Sequence, residues 1–548
     1  MAGSLTSLRD RWPLNRAELQ NNWRLFQLTR KIAAKARVSG DQFPVVFFNA
    51  SSRLTGMSLN SAFSLLAACG VQTSGVPVIY FGCRAGMSHC VLGTSREDYS
   101  QPPPCKGCIA QSERLFAHSP TEWFTFQREP ELVQALQGQD VPSLMDFEWR
   151  LEDCADQLPA VPLGKLVLPA LRWALRVHHL DDDEPTRYLF REYIQSAFHV
   201  ARQGLAFLKR VEPQCVVVFN GLMYPEATVR WVARQLGIRV VTHEVAFAPH
   251  SAFFSDGHAT AYPIEIPEDF ELDEVQNTRL DEYLEARFQG KFTMAGIRFW
   301  PDMQGLGEAF ERKAAGFEQI VPVFTNVVYD TSQVHANVLF PHMFAWLDLI
   351  LELIKTYSET LFVIRAHPDE MRPGTRKQSL ESVQAWVERN QVDRLPNVVF
   401  INPVEYLSSY ELIRRAKFVM VYNSSIGLEA TLLGVPVLCG GRARFTQYPI
   451  VYFPDSAEEY RQRAQAFLAQ RDAIDLPESF QRNARRFLYY QLEKASLPFG
   501  DFIEPHPRPG YVQLRSFSWQ QLTPARSDTI RILVDGILNG KPFLRGEN

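Results

Sequence analysis

The chain has 548 residues, of which 46% are hydrophobic and 22% charged, and its formal net charge is −4. This composition excludes a disordered or collagen-like chain, and the near-neutral charge argues against a protein that holds nucleic acid by bulk electrostatics. Because a single hydrophobic core stops growing at about 250–300 residues, the length predicts two large domains.

The first half of the chain alternates short apolar runs with amphipathic stretches. Continuous apolar runs are typical of parallel strands buried on both faces, and their alternation with helices predicts two β-α-β units, the hallmark of an α/β Rossmann-like domain. A mainly helical region lies between the units, from about residue 110 to 210. The predicted strands cover 44–49, 76–81, 215–219 and 238–242. The helix between the two strands of each unit covers 58–69 in the first unit and 225–236 in the second.

A charged, helical connection over about 273–315 leads to a second α/β series. These patterns predict three segments: a first domain over 1–315, a second Rossmann-like domain over 316–500, and a C-terminal tail over 501–548 with a final helix at 527–539. The strands predicted in the second domain cover 321–325, 361–365, 398–401, 418–422 and 436–438.

Half of the eight cysteines lie close together, since Cys83, Cys90, Cys105 and Cys108 fall within 26 residues. In a reducing compartment such clustering favours metal binding over a disulfide. A CxxC pair with two further thiolates predicts a structural zinc site or an iron–sulfur cluster, with ordinary free thiols as the alternative. His89 is a fifth candidate ligand.

Compact polar residues follow the predicted strands of the second domain, where ligands of such sheets bind. Hydroxyls, a glycine and backbone N–H groups at the helix start over 424–427 predict an anion cradle, with a simple helix cap as the alternative. Glu429 is placed to accept hydrogen bonds from a ribose, and Asn402 begins a loop suited to lie over a nucleobase. The nucleotide-binding candidates are Arg365, His367, Asn402, Ser424, Ser425, Gly427 and Glu429, and Asn326 is a cleft candidate.

The first domain has a corresponding set of strand-end residues. Asn220 and Gly221 follow one strand and indicate a cleft surface, while His243 and Glu244 end the next. A histidine and a carboxylate at a cleft predict a general base and its orienting partner. Glu244 is the first candidate for the base, His243 the second, and Asp330 of the second domain the third.

These motifs together resemble the bacterial capsule polysaccharide synthesis glycosyltransferases, over roughly residues 185 to 445. The resemblance implies a GT-B architecture, in which two Rossmann-like domains face a cleft. The His-Pro pair followed by a Ser-Ser/Gly/Glu helix start is also similar to sialyl- and Kdo transferases. The motifs that carry the resemblance are FNG (219–221), THE (242–244), FTNVVYD (324–330), RAHPDE (365–370) and YNSSIGLEATLLGVPV (422–437).

The resemblance implies transfer of a sugar from a nucleotide-sugar donor to a growing cell-surface polysaccharide or lipid-linked glycan. No catalytic cofactor is expected, because no acidic pair follows a first-domain strand; hexosyl- and Kdo/sialyl-type transfer both stay open. His367, Ser424 and Ser425 would contact phosphate, and Glu429 would contact ribose. A sugar-nucleotide epimerase of the same fold, or a non-catalytic scaffold of a polysaccharide assembly complex, are the alternatives.

The sequence also bears on location and partners. It has no apolar run long enough to span a membrane, and its first residues lack the apolar segment of a secretory signal, so a cytoplasmic location is expected. The apolar, basic stretch over 163–180 predicts either a buried interdomain helix or a helix that lies on the inner membrane face. No nucleic-acid partner is expected, and the oligomeric state stays open.

Overall fold

The computed structural model describes residues 8–35, 42–50, 56–95, 97–151, 158–289, 303–371 and 378–546. In the first helix, side chains are described from residue 14 onward. The described chain forms two α/β domains, each built on a sheet of its own. This confirms the predicted fold class of two Rossmann-like domains.

The first domain has a seven-stranded sheet in the order β12-β6-β5-β4-β1-β2-β3. Its five strands from β5 to β3 are parallel, whereas β6 and β12 join antiparallel at one edge. The strands are β1 Val45–Phe48, β2 Val78–Cys83, β3 Thr121–Phe124, β4 Cys215–Phe219, β5 Arg239–Val245, β6 Ser251–Ser255 and β12 Leu497–Pro498.

Alternate residues of β1 show why the strand is apolar throughout. Val45 and Phe47 pack into a hydrophobic cluster on one face of the sheet, and Val46 and Phe48 pack into a second cluster on the other face. All four side chains are fully buried. A continuous apolar run is therefore required here, because helices cover both faces of a parallel sheet.

The second domain has five parallel strands in the order β11-β10-β7-β8-β9. The carboxyl ends of these strands share one edge of the sheet, which faces the first domain through contacts such as the hydrogen bond between Thr260 Oγ1 and His335 Nε2, at 3.0 Å. The strands are β7 Gln319–Phe324, β8 Thr360–Arg365, β9 Val398–Ile401, β10 Val419–Val421 and β11 Val437–Cys439, and a separate hairpin pairs β13 Ile503–Pro505 with β14 Val512–Leu514.

Helices connect the strands and cover both sheets. In the first domain they are α1 Leu8–Lys35, α2 Leu59–Thr73, α3 Cys105–Leu115, α4 Pro130–Ala135, α5 Val141–Met145, α6 Leu163–Leu175, α7 Glu184–Val211 and α8 Tyr224–Gln235. The remaining helices are α9 Glu274–Phe288, α10 Gly307–Ala314, α11 Gln333–Ala336, α12 Met343–Thr356, α13 Val383–Arg389, α14 Ser409–Arg414, α15 Ile426–Leu432, α16 Ala457–Ala469, α17 Glu478–Tyr489 and α18 Asp528–Asn539.

The C-terminal tail packs on the first domain, although the sequence pattern sets it apart as a third segment. Strand β12 pairs with β6 at the sheet edge, and Ile530 of α18 packs in the same buried cluster as Phe63 of α2. The apolar face of α2 would be exposed without α18, so burial of that face explains why the chain returns. The first domain is therefore built from two separate parts of the sequence.

Helix α6 buries its apolar face in the protein interior. Val167, Ala170 and Leu171 are fully buried in the first-domain core. Just beyond the helix, the Glu381 carboxylate of the second domain accepts hydrogen bonds from the backbone N–H groups of His178 (2.7 Å) and His179 (2.9 Å). These contacts favour the interdomain interpretation over membrane association. Across the described ranges, no helix combines the length and apolarity needed to cross a bilayer.

Candidate functional site

Arg365 is the last residue of β8 and lies at the carboxyl edge of the second sheet. Its side chain is 5% exposed, and its Nη1 atom has no hydrogen-bond partner within the described part of the chain. Burial lowers the pKa of Arg365 to about 10, against the attraction of the nearby Glu405 carboxylate. An arginine of this kind still carries its charge at neutral pH. A buried guanidinium with an unused donor indicates a site for an anion.

His367 follows Arg365 by two residues and is partly exposed. Its Nδ1 accepts a hydrogen bond from the backbone N–H of Asp369, at 3.1 Å. Because Nδ1 is the acceptor, the neutral ring carries its proton on Nε2, which makes Nε2 a hydrogen-bond donor. The His-Pro turn thus places a cation and a neutral N–H donor at one strand end.

Asn326 and Asn423 connect the ends of β7 and β10. The Asn326 side-chain amide donates to Asn423 Oδ1 at 2.8 Å, and the Gln333 side-chain amide donates to the same oxygen at 3.1 Å. Both residues follow neighbouring parallel strands, which explains why they meet. Asn326, predicted as a cleft residue, here fixes the turn that precedes Ser424.

Ser424 and Ser425 lead into α15 and are partly exposed. The side chain of Ser425, at the cap position, makes no capping hydrogen bond, so the hydroxyl does not serve the helix. A side chain at Gly427 would place its Cβ only 2.9 Å from Phe445 and 3.1 Å from Val421. Close packing of α15 therefore accounts for Gly427 without a ligand.

Asn402 shapes the turn after β9. Its Oδ1 accepts from the backbone N–H of Val404 at 3.1 Å, and its side-chain amide donates to Gln384 at 2.9 Å. The backbone N–H of Asn402 donates to Glu405, the acid that lies near Arg365. Asn402 thus holds the loop beside Arg365, and any contact with a nucleobase stays a prediction.

Glu244 ends β5 in the first domain and is held by three donors. The side-chain amide of Asn220 donates to Oε2 at 2.8 Å, the backbone N–H of Val245 donates to Oε1 at 2.8 Å, and Asn60 of α2 donates to Oε1 at 3.4 Å. Asn220 has a positive φ of 60°, as does Gly221 at 77°. This left-handed turn brings the Asn220 amide back towards the neighbouring strand.

Asp330 of the second domain lies near enough to Glu244 for its negative charge to act on that carboxylate. Burial is the largest cause of the raised pKa of Glu244, and the charge of Asp330 adds to it. Asp330 itself is exposed. Two of the three residues predicted as candidates for the base therefore lie close enough for their charges to interact across the cleft.

His243 lies on the opposite face of β5, because successive strand residues alternate between faces. It is 1% exposed and its ring packs against Phe219 and Phe254. Burial lowers its pKa to about 3, which keeps the ring neutral. His243 has no access to the cleft, so its prediction as the second candidate for the base is wrong.

Residues 304–472, which include most of the second domain, match the family model described as capsule polysaccharide biosynthesis protein. The resemblance seen in the sequence is thus confirmed for residues 304–472. No curated protein sequence matches the chain significantly.

Solved structures similar to this chain include two transferases and an epimerase. The beta-Kdo 2,4 transferase KpsC of Thermosulfurimonas dismutans is 12% identical, with 59% of this chain and 87% of that chain covered and a TM-score of 0.34. The beta-Kdo 2,7 transferase of the same protein is 16% identical, with 57% and 86% covered and a TM-score of 0.32. The UDP-GlcNAc 2-epimerase of Neisseria meningitidis is 11% identical, with 81% and 97% covered and a TM-score of 0.24.

Glu429 of the second domain takes part in a buried ion pair. One carboxylate oxygen accepts from Arg287 of α9 at 2.5 Å, and the other accepts from the Tyr410 hydroxyl at 2.5 Å. The side chains of Glu429 and Arg287 are 7% and 6% exposed. Burial disfavours the Arg287 cation, but the Glu429 charge outweighs this and raises the pKa of Arg287. The carboxylate predicted to bind ribose is engaged within the protein.

The change Glu429→Gln is expected to lower the free energy of unfolding by about 3–5 kcal/mol, because the Arg287 cation stays buried without its counter-charge. Urea denaturation measures this. Glu308→Gln is the matched control, since Glu308 and Arg312 form an exposed pair on α10 worth at most about 1 kcal/mol. Normal stability with weakened nucleotide binding would instead support the ribose role predicted from the sequence.

A cationic group that the sequence pattern does not reveal lies beside the cleft. Arg230 of α8 is 8% exposed and contacts the His258 ring, with nitrogen atoms 2.8 and 3.1 Å apart. The His258 ring lies 5.4 Å from the His335 ring of the second domain. Burial first, and then Arg230, lowers the pKa of His258 to about 4. Arg230 sits inside a regular amphipathic helix, so no local pattern marks it.

Proposed function

We propose that this chain is a glycosyltransferase that moves a sugar from a nucleotide-sugar donor to a growing surface polysaccharide or lipid-linked glycan. The buried Arg365 guanidinium, with an unused donor at the carboxyl edge of a parallel sheet, is the observation that carries the proposal. Such edges are where α/β domains bind nucleotides. The capsule polysaccharide family of residues 304–472 supports a product at the cell surface.

The second domain would stabilise the leaving group. When the acceptor oxygen attacks the anomeric carbon, the bond from that carbon to the phosphate oxygen breaks, and the electron pair stays on the phosphate. Arg365 and the Nε2–H of His367 would balance this charge, and the hydroxyls of Ser424 and Ser425 would bind the same phosphate. Fixed donors in a water-poor site stabilise developing charge strongly. In this mechanism no divalent cation is required.

The first domain would hold the acceptor and the base. Glu244 would take the proton of the acceptor hydroxyl, which makes the transfer an inverting one. Because the pKa of Glu244 is raised, it lies closer to neutral pH than the pKa of an exposed glutamate. The Glu244 carboxylate is therefore the better proton acceptor. Asn220 would act as a positioning residue, since its amide fixes one carboxylate oxygen. Asp330 would keep the pKa of Glu244 raised.

The proposal is tested first by the thermal stability of the folded chain with CMP, CDP, UDP and GDP. A nucleotide that binds only the folded state adds about 2.7 kcal/mol of stability at a concentration of 100 Kd. We expect one of the four to raise Tm clearly above the others. The matching nucleotide sugar then identifies the donor, and product formation with a glycan acceptor establishes transfer.

Two results would point elsewhere. If a nucleotide sugar is converted into its epimer with no acceptor present, the chain is an epimerase and the transferase proposal fails. If none of the four nucleotides changes Tm, the second domain does not bind a nucleotide, and a non-catalytic scaffold becomes the better account.

A further inference from the structure

The four clustered cysteines meet around a single small cavity in the first domain. Cys83 ends β2, Cys90 lies in the long loop that follows, and Cys105 and Cys108 lie in the first turn of α3. All four line the same cavity, whose other walls are apolar side chains and prolines. The four sulfur atoms lie close enough together for a charge on any one of them to act on the others. None of the described cysteines forms a disulfide.

Two of these sulfur atoms accept a backbone hydrogen bond, each in its own turn, and the two turns are alike. In each turn the glycine three residues after the cysteine donates its N–H to the sulfur: Gly86 to Cys83 and Gly93 to Cys90, both at 3.2 Å. A Cβ at Gly93 would lie 2.9 Å from the Cys90 sulfur. Such N–H donors stabilise a negatively charged sulfur and tune the potential of iron–sulfur clusters.

The N-terminus of helix α3 adds a positive electrostatic potential beside the cysteine cavity. The helix has 11 residues and begins at Cys105, and the residue before it, Pro104, makes no side-chain capping bond. Its first-turn N–H groups thus lie beside Cys105 and Cys108. The positive end of a helix favours thiolates and bound anions.

The ligand set contains only sulfur. His89, the fifth candidate in the sequence, has its Nε2 bonded to the Tyr99 carbonyl oxygen at 2.6 Å and its Nδ1 3.6 Å from Glu192. Both ring nitrogens of His89 therefore face groups outside the cavity. Over the residues that the structure describes, no three His, Cys, Asp or Glu side chains are arranged to hold a single metal ion. Four cysteines with no other ligand type are the set that holds iron–sulfur clusters.

We propose that Cys83, Cys90, Cys105 and Cys108 bind a [4Fe–4S] cluster. This site goes beyond the transferase chemistry, because Cys83 lies at the end of β2, three strands from Glu244 in the order of the sheet. The cluster joins the end of β2, the described loop segments 84–95 and 97–104, and the start of α3. A loop of that length without regular structure needs such an anchor or a function of its own. The cluster thus fixes this part of the first domain.

The test uses the whole chain purified without oxygen. We expect about four iron and four acid-labile sulfide ions per chain, a broad visible absorption that bleaches with dithionite, and an electron paramagnetic resonance signal in the reduced state. Cys105→Ser and Cys108→Ser are expected to lose most of the iron, measured per folded chain after circular dichroism confirms folding. Cys69→Ala is the matched control, because Cys69 is a buried cysteine of α2 outside the cavity, and it should keep its iron.

Three outcomes would overturn the proposal. One is stoichiometric zinc without sulfide, which would make the site a single-ion zinc centre. Another is the absence of iron both after anaerobic purification and after reconstitution with ferrous iron and sulfide. The third is iron retained equally by the wild type and both serine variants. None of these outcomes bears on nucleotide binding, so the proposed transferase function is tested separately.

Discussion

Replacing Arg365 by glutamine is expected to lower kcat/KM for the sugar donor by about 10²–10³-fold. The guanidinium of Arg365 is nearly fully buried, and its Nη1 has no partner among the described residues. In the proposed mechanism it binds the nucleotide phosphate. The same variant should lose the Tm increase caused by the nucleotide. Steady-state kinetics and thermal shift measure the two effects independently.

Arg365→Lys separates charge from geometry. Lysine keeps the positive charge but lacks the planar fork of donors, so we expect partial activity between wild type and Arg365→Gln. Arg461→Gln is the matched control, since Arg461 forms an ion pair with Glu352 on the surface of the same domain. Near-normal kcat/KM in folded Arg365→Gln would remove Arg365 from the site, and with it the observation on which the proposed function rests.

Glu244→Gln is expected to lower kcat by about 10²–10⁴-fold, because the amide keeps the size of the side chain but does not accept a proton. Nucleotide binding should be unchanged, since Glu244 belongs to the first domain. Glu122→Gln is the control: Glu122 lies on β3 of the same sheet and pairs with Arg210 at the surface. A folded Glu244→Gln with normal kcat would show that Glu244 is not the base.

The pH dependence distinguishes Glu244 from Asp330. A base works only when deprotonated, so kcat/KM should fall as the pH falls through the raised pKa of Glu244, above the ordinary value of 4.5. Removing the neighbouring charge with Asp330→Asn lowers that pKa, and the acidic limb should move to lower pH while activity persists. If Asp330 were the base, Asp330→Asn would instead abolish turnover.

Strands buried on both faces were predictable, because their short, continuous apolar runs stand out against the amphipathic helices between them. The runs at β1, β4, β7 and β8 were each assigned as strands to within about two residues. The sequence does not predict β3, because this strand lies at the sheet edge and only one of its four residues, Phe124, is buried. Edge strands carry weaker hydrophobic signals, and their pairing depends on distant parts of the chain.

Only those site residues that lie at the ends of buried strands could be predicted from the sequence. Arg365, Asn220 and Glu244 follow or end buried strands, and the parallel topology brings them to the two facing edges. What each side chain points at depends on tertiary contacts: Glu429 reaches Arg287, 142 residues away in the chain. His243 and Glu244 are neighbours in sequence, yet the alternation of one strand buries the first and leaves the second at the cleft.

The return of the chain to its first domain has a consequence for synthesis on the ribosome. Domains generally fold from the N-terminus as they emerge, but here β12 completes the first sheet and α18 covers α2. The second domain therefore emerges, and has its own core, while the first still exposes an unpaired strand edge. The first domain is thus completed only after the second has been synthesised, and the edge of β6 stays unpaired until β12 is made.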